Sequence, residues 1–162
     1  MRTRGLWTAV LCLLVWAACK GGGDGGPPKR EPGDLGKEIA TTYLAMMAEI
    51  GGQVAAVKDT ATLRPEMDKL KEKYIASFVA LGRERERLAQ DGRDECDSAT
   101  RTHMRQVPDE TLDAIDVAKA AAKEGDPELY RCLGDLQQLT QYATFDRLRT
   151  QLPEEAARLG IR

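Results

Sequence analysis

Apolar side chains recur every three or four residues along most of positions 35–152, and that period governs what this chain can fold into. Leu35, Ile39, Tyr43, Met46, Ile50, Val54 and Val57 fall on one stripe of a helix. Leu63, Met67, Leu70, Tyr74, Phe78 and Leu81 form a second stripe, with Leu88 two turns beyond. A short polar third segment, 93–106, is followed by Val107 and carries Cys96, Ala99 and His103 on the same side. Leu112, Ile115, Ala118 and Ala122 make a fourth stripe. Leu129, Cys132, Leu136, Leu139 and Ala143 make a fifth, continuing through Leu148 and Leu152 to Pro153. No stretch alternates apolar and polar residues in the β-branched pattern of a strand. The expected class is all-α, a small antiparallel bundle of four to five helices joined by short connections. No internal repeat at a fixed period supports a solenoid.

The helix ends are punctuated by familiar chemistry. Asp34 is the expected N-cap of the first helix. Gly51-Gly52 mark a kink, a close helix contact or an early end. Lys58-Asp59-Thr60 makes a turn, and Pro65, tolerable only near a helix start, places the second start at 61–64. The alternating run Arg83-Glu84-Arg85-Glu86-Arg87 reads as a solvated face. Asp91-Gly92 ends that helix, Pro108-Asp109-Glu110 opens the fourth and Gly125 stops it. Asp126-Pro127-Glu128 opens the fifth with a cap, a proline at the first helical position and an early acid.

Residues 37–162 are one domain by length, large enough to bury about two-thirds of its unfolded surface. Residues 34–162 hold 19 basic and 24 acidic residues, interspersed, with no basic face for nucleic acid. Both tryptophans, Trp7 and Trp16, lie near the N-terminus, and the domain's aromatics are Tyr43, Tyr74, Phe78, Tyr130, Tyr142 and Phe145. Too few for a stacking platform, they argue against single-stranded nucleic acid and against sugar stacking.

The N-terminus has three zones. Arg2 and Arg4 precede an uncharged apolar run, residues 5–18, which is shorter than the about 20 residues of a membrane span and fits a signal peptide. Trp16-Ala17-Ala18-Cys19 resembles the bacterial lipobox, with Trp16 where an aliphatic is usual. The resemblance covers only this leader. It implies cleavage before Cys19, lipidation of the Cys19 thiol, and membrane attachment at the cell envelope. The competing reading is cleavage after Ala17, releasing a soluble periplasmic protein. Residues 20–36 contain seven glycines and three prolines, a composition that cannot repay its ordering entropy and suits a tether from Cys19 to residue 36. Lys20 is not the Asp that, in enterobacterial lipoproteins, retains the chain at the inner membrane, so the resemblance implies the outer membrane.

Of the four cysteines, Cys12 would leave with the leader and Cys19 would carry lipid. Cys96 and Cys132 are then expected to form a disulfide in an oxidising compartment, stabilising by roughly 3–4 kcal/mol. Two buried free thiols or a redox pair are the alternatives, and no C-x-x-C spacing favours the latter.

Chemistry is sparse. His103 is the single histidine, and no zinc motif includes it. Cys96 and His103 share a helix face but lie two turns, about 10 Å, apart. Asp94-Glu95-Cys96-Asp97 lacks the ligand order of a calcium loop and reads as a solvated helix start. A periplasmic bundle of this size is similar to cytochrome b562-type domains, which implies haem between a methionine such as Met46 or Met47 and a histidine near the C-terminus. Here His103 falls mid-chain, against that order. No catalytic residue, cofactor or metal ligand is expected. The sequence reading is a non-enzymatic, lipid-anchored interaction or structural module with an envelope protein partner, and a small-ligand or haem-binding bundle is the alternative.

Overall fold

The computed structural model describes residues 30–57 and 59–162. Seven α-helices and one 3₁₀ segment account for most of them, and no strand occurs among the described residues. The helices are α1 (Pro32–Ala56), α2 (Thr60–Glu86), α3 (Gln90–Met104), α4 (Asp109–Gly125), α5 (Pro127–Gln137), α6 (Phe145–Gln151) and α7 (Pro153–Arg158), with the 3₁₀ segment at Leu139–Ala143.

Helix α1 begins upstream of the expected boundary, with Pro32 at its first position and Asp34 in its first turn instead of at the cap. Residues 32–36 are therefore helical, and Leu35 and Gly36 are buried. The helix runs straight through Gly51-Gly52. Gly51 marks a close contact with the Thr111 side chain, whereas Gly52 faces open space. Asp59 caps α2 by accepting from the Ala61 amide at 3.2 Å, and Pro65 lies one turn deeper than its chemistry suggests. Asp126 caps α5 as expected, accepting from the Leu129 amide at 3.0 Å.

One contiguous core joins all the helices except α3's outer face, centred on Phe78, Met46, Met47, Ile50, Met67, Ile115, Leu133, Leu136 and Leu148. The α1–α3 crossing is the closest helix pairing. A Cβ on Gly36 would overlap the Cys96 carbonyl and sit 2.8 Å from Ala99 Cβ, so only glycine admits that approach. Thr100 Oγ1 donates to the Gly36 and Cys96 carbonyls, at 3.1 and 2.9 Å, and stitches the two helices together.

The last expected helix does not continue to Leu152. Its core residues Leu133, Leu136, Leu139, Tyr142, Phe145 and Leu148 are spaced by three, and all are buried. On an α-helix each step of three falls about 60° short of a turn, so this stripe would wind away from the core. A 3₁₀ segment has three residues per turn and holds such a stripe on one side. The chain accordingly tightens at Leu139–Ala143, which divides the expected fifth helix into α5 and α6, and α7 starts separately at Pro153, so the described residues contain seven helices and not four or five.

Two further expectations are corrected. Cys96 and Cys132 are buried free thiols and form no bridge. Cys96 is packed at the α1–α3 crossing, while Cys132 on α5 directs its Sγ to Asp68 on α2 at 3.5 Å, so the thiols serve different helix interfaces. The Arg83–Arg87 run is not a uniformly solvated face, because Arg85 is only 4% exposed.

Candidate functional site

The residues singled out by sequence do not converge. Cys19 lies outside the described residues. Met46 and Met47 are fully buried core, and His103 on α3 is half-buried with Nδ1 2.9 Å from the Ala99 carbonyl. Burial and neighbouring Asp97 push the Cys96 thiol up. Burial and the Asp68 carboxylate push Cys132 up to about 12, so both thiols are protonated and poor nucleophiles near neutrality. Among the described residues no group of three or more His, Cys, Asp or Glu is placed to hold a metal. No helix there is long and apolar enough to cross a membrane.

Two clefts are large enough for a small ligand. The first, about 450 Å³, lies between α2, the 3₁₀ segment and α7. Four of its five ionic groups pair with one another, and Glu72 makes no ion pair among the described residues. Lys71 Nζ holds Asp135 at 2.6 Å, Arg158 holds Glu155 at 2.7 Å, and the Tyr142 hydroxyl donates to Glu155 at 3.2 Å. Arg158 keeps the Glu155 carboxyl below the usual carboxylate range, and burial with Glu155 nearby raises the Tyr142 hydroxyl. Both cations of this cleft are therefore paired, and its one unpaired ionic group is the Glu72 carboxylate.

The second, about 340 Å³, differs in kind. Asp97, Thr100, Arg101 and Met104 recur at one-turn spacing and form its α3 wall. Gln137 and Gln138 close it at the end of α5, Thr140, Gln141 and Ala143 come from the 3₁₀ segment, and Arg147 and Gln151 come from α6. Ile39 of α1 contributes to the lining. The 3₁₀ winding is what presents Thr140 and Gln141 outward while Leu139, Tyr142 and Ala143 bury beneath them.

Commitment of the polar groups decides what this groove can do. Its one carboxylate, Asp97, is already engaged by Arg85, with Nε at 2.7 Å from Oδ1 and Nη2 at 2.8 Å from Oδ2. Lys119 occupies the Gln137 side-chain oxygen at 2.9 Å. Arg101 and Arg147 make no ion pair among the described residues, and Gln138, Thr140, Gln141, Thr144 and Gln151 make no side-chain hydrogen bond there. The groove therefore presents two free guanidiniums beside uncommitted amides and hydroxyls, and no aromatic ring. Sequence reasoning missed it. The available signal was the uncharged polar run Gln137-Gln138, Thr140-Gln141 and Thr144 inside an otherwise apolar stripe.

An all-helical fold with a polar, cation-lined groove is the class these observations define. No protein-family model, no curated protein and no solved structure matches the chain.

Proposed function

We propose that this protein is a bacterial lipoprotein, exported and anchored through Cys19 at the cell envelope, whose antiparallel helical bundle is a non-enzymatic interaction or structural module. The observation carrying the proposal is the Trp16-Ala17-Ala18-Cys19 motif, placed after an apolar leader and followed by a Gly/Pro-rich segment. A Gly-rich linker of about twelve residues has a reach of about 20 Å, enough to hold a domain clear of a bilayer. Two or more acyl chains on such a residue anchor stably, whereas one alone binds marginally. The outer membrane is the favoured destination because Lys20 follows the cysteine.

The non-enzymatic part rests on chemistry. The buried thiols are held protonated, both cations of the α2–α7 cleft are paired with carboxylates, and the polar groove contains neither a nucleophile activated by a base nor a pair of free carboxylates. Haem binding, the earlier alternative, has no support from Met46 and Met47, which are consumed by the core.

The test is metabolic labelling with a radioactive fatty acid in the native host, alongside membrane fractionation. Wild-type chain should carry label and sediment with membranes, and Cys19→Ser should lose both. Unlabelled wild-type protein in the soluble fraction would refute the anchor.

A further inference from the structure

We propose that the groove between α3, the 3₁₀ segment and α6 docks an acidic peptide segment of a partner protein, with Arg101 and Arg147 holding its carboxylates. The proposal rests on the reading of the domain as an interaction module, and names the partner's chemistry. It does not depend on the anchor.

Charge complementarity carries the argument. The chain from residue 34 onward has more acidic than basic residues, yet this groove gathers two unpaired guanidiniums while its single carboxylate, Asp97, is neutralised by Arg85. A guanidinium presents a planar fork of donors that matches a carboxylate two bonds at a time. Arg101 and Arg147 sit on different elements, α3 and α6, so they flank the groove and suit two carboxylates on one extended segment.

The uncommitted amides narrow the class further. Gln138, Gln141 and Gln151 each offer a carbonyl acceptor and an NH₂ donor, the same pair of functions that a peptide unit exposes. Extended backbone entering the groove finds partners for its N–H and C=O groups, and the Thr140 and Thr144 hydroxyls can serve either. A nucleic acid or neutral sugar would lack the aromatic faces on which it stacks. This chain's own residues 20–30 have the wrong sign, with Lys20, Lys29 and Arg30 against Asp24. A preformed cleft of about 340 Å³ lies within the usual range for small-ligand sites, about 300–1,000 Å³.

The experiment is fluorescence anisotropy of a fluorescein-labelled tetraglutamate peptide with the full chain in detergent micelles. Binding should be saturable and should weaken between low salt and 0.5 M salt, roughly as expected when the Debye length shrinks below about 5 Å. R101E/R147E should weaken binding by at least about tenfold, the scale of losing charge-assisted hydrogen bonds. Neither arginine is tied into the fold, so melting curves should match wild type. R101Q/R147Q, which keeps polarity without reversing charge, should show a smaller loss in the same direction. K123E, an exposed reversal on α4 outside the groove, should bind as wild type does. Unlabelled tetraglutamine should compete poorly. The proposal is overturned if tetraglutamate does not bind, if R101E/R147E binds as wild type does, or if K123E loses as much. It is also overturned if inorganic phosphate displaces the peptide at equal concentration, because the groove would then be a general anion site. Failure here with acylation intact removes only the groove. Failure of acylation with binding intact removes only the anchor.

Discussion

Arg85 of α2 and Asp97 of α3 form a bidentate ion pair, two N–H···O bonds of 2.7 and 2.8 Å, with the arginine 4% exposed. Its hydrogen bond to Asp97 raises the guanidinium's affinity for its proton. The neighbouring Glu86 lies among three guanidiniums, 3.8 Å from Arg85 and from Arg93 and 3.3 Å from Arg149. This network ties α2, α3 and α6 together behind the polar groove.

Breaking that pair should therefore be costly and non-additive. Removing one member of a buried ion pair leaves an uncompensated charge and costs about 3–5 kcal/mol. Arg85→Ala should lose stability on that scale in urea denaturation, near its upper end because the stem also packs. Asp97→Ala should lose stability on the same scale, since it leaves the 4%-exposed Arg85 guanidinium with only Glu86, 3.8 Å away. The double variant should lose well under the sum of the two, and additive losses would show that the residues act independently.

Two glycines should respond oppositely to alanine. Gly36→Ala places a methyl against the Cys96 carbonyl and forces α1 from α3, an overpacking of about 1–3 kcal/mol. Gly52, in the same helix, has nothing within 4 Å of an added Cβ, so Gly52→Ala should stabilise by about 0.5–1 kcal/mol through helix propensity. Thermal melts should move down for the first and up for the second. Equal shifts would argue against a close crossing at Gly36.

Thiol chemistry distinguishes the free-cysteine arrangement from a bridge. Under native conditions at pH 8, Cys96 and Cys132 should resist alkylation, and in urea both should react without prior reduction, as peptide mass mapping would record. A Cys96–Cys132 linked peptide would contradict the fold at two helix interfaces. Cys132 also contributes a pH dependence. Its proton is held more tightly in the folded state, so its contribution is complete below the free-thiol value of about 8.5. That contribution is lost as pH rises from there towards the folded value of about 12.

At the acid end the sign reverses. Glu49 accepts from Lys73 at 2.7 Å and from the Tyr74 hydroxyl at 2.7 Å, and these bonds hold its carboxyl below the usual range. A lowered carboxyl contributes stability above its unfolded value, about 4.3, and loses it as pH falls through the lower folded value. Glu49→Gln should flatten the loss of stability below about pH 4.3 in a series of urea melts. An unchanged acid limb would mean that Asp146 and Glu155, lowered by their arginine partners, carry it instead.

Much of the architecture was legible because it depends on local chemistry. The stripes of α1 and α2 name the centre of their buried faces but miss the flanking Ala40, Met47, Ile75 and Val79, since a 3.6-residue period fixes the middle of a face better than its width. Asp126 caps the helix its position suggests because capping needs only the next two or three amides, whereas Asp59, expected in a turn, caps α2. The spacing of three from Leu133 to Leu148 is also present in the sequence, but the α-helical stripe through Leu129, Cys132, Leu136, Leu139 and Ala143 passes over it.

The sequence by itself determined the helical class, many of the core residues, the bounds of α4 and the start of α5, each set by contacts within a turn or two of chain. By contrast Asp91-Gly92, expected to end α2, lies inside α3. The sequence also contains Trp16-Ala17-Ala18-Cys19, the residues on which the proposed anchor rests. Only the tertiary structure decided that Arg85 is buried, that Cys96 and Cys132 face different interfaces, and that Gly36 lies beneath a crossing helix. Those outcomes depend on which residue of a distant helix arrives opposite. The polar groove belongs with them: a free arginine can be recognised only once every acid that could have paired with it has been placed elsewhere.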